Sequence, residues 1–185
     1  LLNLIFPSAG SARIRGMDVI RETRKIKEHI GYVPAEASAY SSMSVNEFLD
    51  YSAGFYNAAG AEKRKQEMSD LFELDLKRQV SELSSGNRRK VAIVQSLLHS
   101  PGLLILDEPF EGLDVDSRRS MAAVINDLML DTMRVILITH RFDEIPPNIS
   151  HVLFLRGGKV THAGKRETVF TPEVIRDVYE RNDAV

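Results

Sequence analysis

The 185 residues contain no cysteine and no tryptophan. Without cysteine there is no disulfide, no thiolate nucleophile and no sulfur-ligated metal site. A reducing, cytosolic setting fits that lack. An excess of one charge is missing too. Lys and Arg number 24 against 26 Asp and Glu, a net charge of −2. No overall basic field is therefore available for nucleic acid or an anionic membrane surface. No apolar run approaches the roughly 20 residues of a membrane-spanning helix. The opening Leu1-Leu2-Asn3-Leu4-Ile5-Phe6 does not read as a secretory signal. It reads as the inside of an element, so the chain is expected to start partway through a domain. What is present is ordinary globular composition, 43% hydrophobic and 27% charged. A chain of this length buries roughly 70% of the surface that its unfolded form exposes.

Leu1 to Phe6 reads as the end of a helix stopped by Pro7 and Gly10. Ser11 to Met17 alternates like a short strand, Arg21 to Glu28 like a charged helix or turn, and His29 to Val33 like a strand ended by Pro34. Ser44-Val45-Asn46-Glu47 is a capping box that opens a helix through about Phe55. Further helices are expected over Ala61–Leu74 and Asn87–His99, the latter ended by Pro101-Gly102. The pattern then changes. Leu103-Leu104-Ile105-Leu106 and Val135-Ile136-Leu137-Ile138 are continuous apolar runs, the mark of strands buried on both faces of a parallel sheet. A helix from about Asp116 to Leu130 lies between them. Val152–Leu155 and Lys159–His162 form a hairpin through Arg156-Gly157-Gly158. Thr171-Pro172-Glu173 starts a last helix. Strand–helix alternation from Leu103 onward indicates an α/β sheet, and the helical stretch from about Glu36 to Ser100 reads as an insertion into it.

Two places carry chemistry. The apolar run ends in Asp107-Glu108-Pro109. Ligands of open α/β sheets bind at the carboxyl ends of strands. A carboxylate there can hold Mg²⁺, and the next one can orient or deprotonate a water. An acidic turn after a buried strand explains the apolar residues, but not two carboxylates at its dry end, where unpaired charge is costly. The second place is Leu83-Ser84-Ser85-Gly86-Asn87, where hydroxyls, a glycine and a helix N-terminus suit an anion. Alone, that segment is equally an N-cap.

Taken together and in order, these segments resemble the nucleotide-binding domain of ABC ATPases. Leu83 to Lys90 resembles the signature motif, and Leu103 to Pro109 resembles Walker B with its glutamate. Glu111-Gly112-Leu113-Asp114 matches the D-loop. Thr139-His140 matches the switch histidine, and Gly31-Tyr32-Val33-Pro34 matches the strand entering the Q-loop. The resemblance runs from Leu1 to about Gly164. It implies a P-loop NTPase-type α/β fold, a mostly parallel sheet with an inserted helical subdomain that carries the signature. The whole chain, 1–185, would be one such domain, with 36–100 as helical subdomain and 1–35 and 101–185 as α/β core. It implies ATP and Mg²⁺ as ligands and hydrolysis in a head-to-tail pair of domains. Asp107 would bind the metal, Glu108 would polarise the attacking water, and His140 would contact the γ-phosphate. Ser84, Ser85, Gly86 and Asn87 would meet ATP held by the partner domain, and Asp114 would signal across that interface. The implied partners are a second, identical or different, ATPase domain and a membrane-spanning transporter subunit, with no direct nucleic acid. The implied location is cytoplasmic, peripheral at the inner face of the membrane.

The chain also departs from that family. It has no Gly-x-x-x-x-Gly-Lys-[Ser/Thr], the loop whose backbone N–H groups and lysine cradle phosphates. Leu1 to Ile5 resembles the helix that follows this loop, so the chain is expected to be truncated just after the Walker A lysine, and inactive as given. Ala35 stands where the Q-loop glutamine is expected, with Glu36 adjacent. Ser85 replaces the first signature glycine and Asn87 the usual glutamine. Three readings stay open on sequence alone: an ABC transporter ATPase subunit, a soluble non-transport ABC ATPase, and a degenerate domain that completes a partner's ATP site.

Overall fold

The computed structural model describes residues 2–35, 42–56, 60–130 and 133–180. Glu36, the neighbour of the expected Q-loop position, lies outside them. The chain divides into two units, Leu1–Glu144 and Ile145–Val185.

The first unit is organised by a three-stranded parallel sheet. Its strands β3 (Ile30–Val33), β4 (Leu103–Asp107) and β5 (Arg134–Ile138) stand in the order β3-β4-β5. Strand β4 is central and dry on both faces. Leu104 and Leu106 join the main core with Val33, Phe72, Val91, Val94, Leu97 and Phe110. Ile105 points the other way, into a smaller cluster with Val19, Ile26 and Ile30. Alternate side chains of a strand face opposite sides, so an unbroken apolar run is what two such clusters require.

Three helices follow β3 in the described residues: α2 (Val45–Ala53), α3 (Ala61–Leu71) and α4 (Ser85–Leu97). The capping box forms as expected. Ser44 Oγ accepts from the Glu47 N–H at 3.2 Å, and Glu47 Oε2 accepts from the Ser44 N–H at 2.8 Å. Lys65, buried on α3, donates to Asn46 Oδ1 at 3.0 Å and pairs with Asp50, both of α2. Helix α5 (Val115–Leu130) connects β4 to β5 and buries Met121, Ile125 and Leu128.

Three expectations need correction. Leu2 to Phe6 is not helical. Leu4, Ile5 and Phe6 are exposed, Asn3 has φ 53°, and so short a stretch, with only Leu2 packed on the core, does not offset the cost of helix nucleation. The single strand expected over Ser11–Met17 is instead a tiny hairpin, β1 (Arg13–Ile14) with β2 (Met17–Asp18). Its turn, Arg15-Gly16, has positive φ at both residues, the geometry that matches strand twist. Helix α1 (Thr23–Lys27) follows it. The third correction is β5. Val135 and Leu137 pack on the core, but Ile136 and Ile138 are 37% and 46% exposed. An apolar run does not distinguish a strand covered on both faces from one covered on one face only.

In the second unit, β6 (His151–Arg156) and β7 (Lys159–Lys165) form the expected antiparallel hairpin, closed by Gly157 and Gly158, both at positive φ. Helices α6 (Arg166–Val169) and α7 (Pro172–Glu180) complete it. Phe154 and Val169 are its buried apolar residues.

Helix α4 lies directly on β3 because Gly31 has no side chain. A Cβ there would stand 2.5 Å from the Ser96 carbonyl oxygen and 3.0 Å from Leu104 Cδ1. A backbone carbonyl inside a helix cannot turn aside. Gly31→Ala is therefore expected to lower stability by about 1–3 kcal/mol, the usual cost of overpacking. The urea midpoint measures it, with an unchanged slope if the unfolded state is unaffected.

Candidate functional site

The parallel register builds the site. Asp107 pairs with Ile138, so β4 and β5 leave the core side by side. The Glu108 N–H donates to the Ile138 carbonyl at 2.9 Å, extending the ladder one residue past β4. Glu108 itself sits in the left-handed region, φ 46°, a conformation that side chains rarely adopt. Pro109 and Phe110, both buried, hold the next step of the chain in the core.

The result is a direct contact. His140 Nδ1 stands 2.9 Å from Glu108 Oε1. The hydrogen bond to Glu108, then its negative charge, hold the His140 imidazole above its ordinary value. Glu144 and Glu111 add to this. His140 is exposed whereas the Glu108 side chain is largely covered, so the pair opens outward. Asp107 lies at the edge of the core. The Tyr32 phenol on β3 is pushed up, first by burial and then by the adjacent Asp107 carboxylate.

A second cluster gathers the remaining predicted residues. Ser84 caps α4 by accepting the Asn87 N–H at 3.2 Å, and Ser84 and Ser85 are exposed. Ser85 Oγ donates to the Gly112 carbonyl at 3.1 Å. Gly86 is buried, and a Cβ there would meet Ser117 Oγ at 3.3 Å and Leu113 Cδ2 at 3.5 Å. Asp114 turns its carboxylate onto the first turn of α5, accepting from the Ser117 N–H and Oγ–H, both at 2.8 Å. Those bonds hold its pKa below the ordinary range. The eight predicted residues thus fall at a strand-end group (Asp107, with the hydrogen-bonded Glu108 and His140) and a helix-start group (Ser84 to Asn87 at α4, Asp114 at α5).

Sequence reasoning missed Arg89. This guanidinium is buried, 7% exposed, and donates to the carbonyls of Pro34 at 2.7 Å and Ala35 at 2.6 Å. Burial lowers its pKa, against the charges of Glu111 and Asp107. The signal lay in the helical period, since Gly86, Arg89, Ile93 and Leu97 share the buried side of α4. His99 stacks on Tyr56 at 4.0 Å and bonds the Ile30 carbonyl at 3.1 Å through Nε2.

Comparison with known proteins identifies the family. The family model described as ABC transporter matches residues 1–111. The chain is 27% identical over 183 residues to the ABC transporter ATP-binding protein NatA of Bacillus subtilis, covering 96% of this chain and 74% of NatA. It is 34% identical over 152 residues to the uncharacterized ABC transporter ATP-binding protein MJ1023 of Methanocaldococcus jannaschii, covering 78% of this chain and 57% of that protein. The solved structure of cbiO1 from Clostridium perfringens, part of the ABC transporter complex cbiONQ, superposes with a TM-score of 0.80 at 25% identity, covering 97% of this chain and 76% of that one. The chain thus spans between about half and three quarters of the length of these relatives. With well over half of its residues matched by the family model and its parallel sheet shared with a solved cassette, the chain belongs to the ABC transporter family and has the α/β fold of its ATP-binding cassettes.

Proposed function

We propose that this chain is the ATP-binding and ATP-hydrolysing part of an ABC transporter, acting in a head-to-tail pair of domains beneath membrane-spanning subunits. The observation that carries the reading is the 2.9 Å contact between Glu108 and His140 at the carboxyl ends of adjacent parallel strands. Glu108 offers a carboxylate to the attacking water. Its Oε1 is taken by His140, which leaves Oε2 to accept the water's proton. His140, held toward its protonated form, presents positive charge and an N–H where negative charge grows on the transferred phosphoryl group. The oxygen donor of Asp107 suits a hard cation such as Mg²⁺, which takes most of its ligands from phosphate and water. When bound there it would neutralise charge on the phosphates.

Exposure of Ser84 and Ser85 at the N-terminus of α4 supports the serine turn as the surface offered to a partner's triphosphate. Gly86 and Asn87 would complete that surface, with Asp114 beside it at the interface. Membership of cbiO1 in a transporter complex supports a membrane-spanning partner, and with it a position at the cytoplasmic face. No described helix is long and apolar enough to cross a membrane. The alternative, a domain that only completes a partner's site, draws on Ala35.

ATP turnover by the whole gene product separates the two. Glu108→Gln is expected to lower kcat by about 10²–10⁴-fold, the range for a lost general base. No turnover in the unsubstituted protein would favour the non-catalytic alternative. The same variant has a second consequence. A raised imidazole pKa in the folded state adds stability fully present below the ordinary value of about 6.5 and lost as pH rises through the folded value. In Glu108→Gln the His140 titration, followed by imidazole NMR, is expected to fall back toward that ordinary value. The matching pH-dependent part of stability in urea unfolding should shrink with it.

A further inference from the structure

His140 is exposed, and its imidazole has little packing of its own to aim it. The residues on either side of it are far better held. Glu144, four residues on, is 5% exposed, and a carboxylate that dry is costly unless paired. Its Oε2 accepts from Thr139 Oγ1 at 2.8 Å. Its Oε1 stands 3.1 Å from Arg141 Nε and 3.8 Å from Arg118 Nη1. Thr139 Oγ1 in turn accepts the Arg141 N–H at 3.1 Å. One buried carboxylate therefore hydrogen-bonds the residue before His140 through Oε2 and faces the arginine after it as an ion pair through Oε1, which accepts no hydrogen bond. Arg118 brings α5 into the same knot, since its Nη2 donates to the Leu113 carbonyl at 3.3 Å, next to Asp114.

We infer that Glu144 is a positioning residue for His140: through Thr139 and Arg141 it sets the backbone turn that points the imidazole at Glu108. The inference rests on the reading of Glu108 and His140 as a working pair. A purely structural Glu144 would stabilise the fold by the same ion pairs without governing where His140 points. The two roles differ in what happens at His140 when the knot is loosened in a protein that still folds.

The decisive variant is Thr139→Val, which keeps the β-branched shape and both carboxylates but removes the shared hydroxyl. Glu144→Gln accompanies it, although the charge of Glu144 also acts on His140 directly. The readout is the imidazole titration of His140 in the whole gene product without nucleotide, its resonance identified among the five histidines by its loss in His140→Ala. Thr139→Val is expected to lower the His140 titration toward its ordinary value, and to have no further effect in a Glu108→Gln background, because both changes remove one contact. In the folded Glu144→Gln protein, kcat for ATP is expected to fall about ten- to a hundredfold, with KM within about twofold, as for a misplaced group. A His140 titration unmoved by Thr139→Val, or lowered equally in both backgrounds, would overturn the inference. Should Glu144→Gln fail to fold, Thr139→Val still decides. Wild-type hydrolysis by Glu108→Gln would instead sink the working pair itself, whatever Thr139→Val does to the titration.

Discussion

Burial of β4 on both faces is the constraint from which the rest follows. No charge can lie along Leu104, Ile105 or Leu106 without a large desolvation cost, so the first carboxylates appear where the strand leaves the core. Parallel pairing with β5 then decides what stands beside them. Asp107 is level with Ile138, and the backbone bond from Glu108 to Ile138 carries the alignment one residue further. An imidazole two residues beyond β5 is then within reach of a carboxylate one residue beyond β4. Neither loop needs to be long or ordered by a ligand to bring them together. The strained backbone at Glu108 is held in place by Pro109 and Phe110, which are packed away.

Charge around the site is organised in layers of decreasing exposure. His140 is outermost, Glu108 sits behind it, and Glu144 lies deepest with Arg118 and Arg141 about it. Each acidic group thus has a basic neighbour nearer the solvent. Such an arrangement lets a carboxylate remain ionised at depth, because the desolvation cost is offset by pairing and hydrogen bonds. It also concentrates negative charge where a cationic imidazole is stabilised.

Much of the fold could be read from the sequence because local rules and tertiary demands agreed there. The capping box at Ser44, the apolar run ending at Asp107 and the glycine turn at 157–158 each follow from short-range chemistry that packing did not override. The resemblance puts Glu108 and His140 at one triphosphate, but their direct contact, Oε1 to Nδ1, is a matter of register and rotamer. Where reading failed, the deciding information was non-local. Ile136 and Ile138 look as buried in sequence as Leu104 and Leu106, since a run of apolar residues says nothing about whether its second face has a cover. Arg89 and Glu144 look like surface charges on a helix and a loop. Their partners make the burial possible: for Arg89, carbonyls 54 and 55 residues earlier, and for Glu144, Thr139 and Arg141 close by with Arg118 from α5.

Arg89 also bears on residue 35, where the resemblance leads one to expect a glutamine and the sequence has Ala35. Its guanidinium grips the end of β3 by two carbonyl oxygens, groups that every amino acid carries. The tie between α4 and the end of β3 does not depend on the side chain at residue 35. The side chain at residue 35 is thus free to differ without letting go of the strand, because the joint is made by backbone oxygens alone.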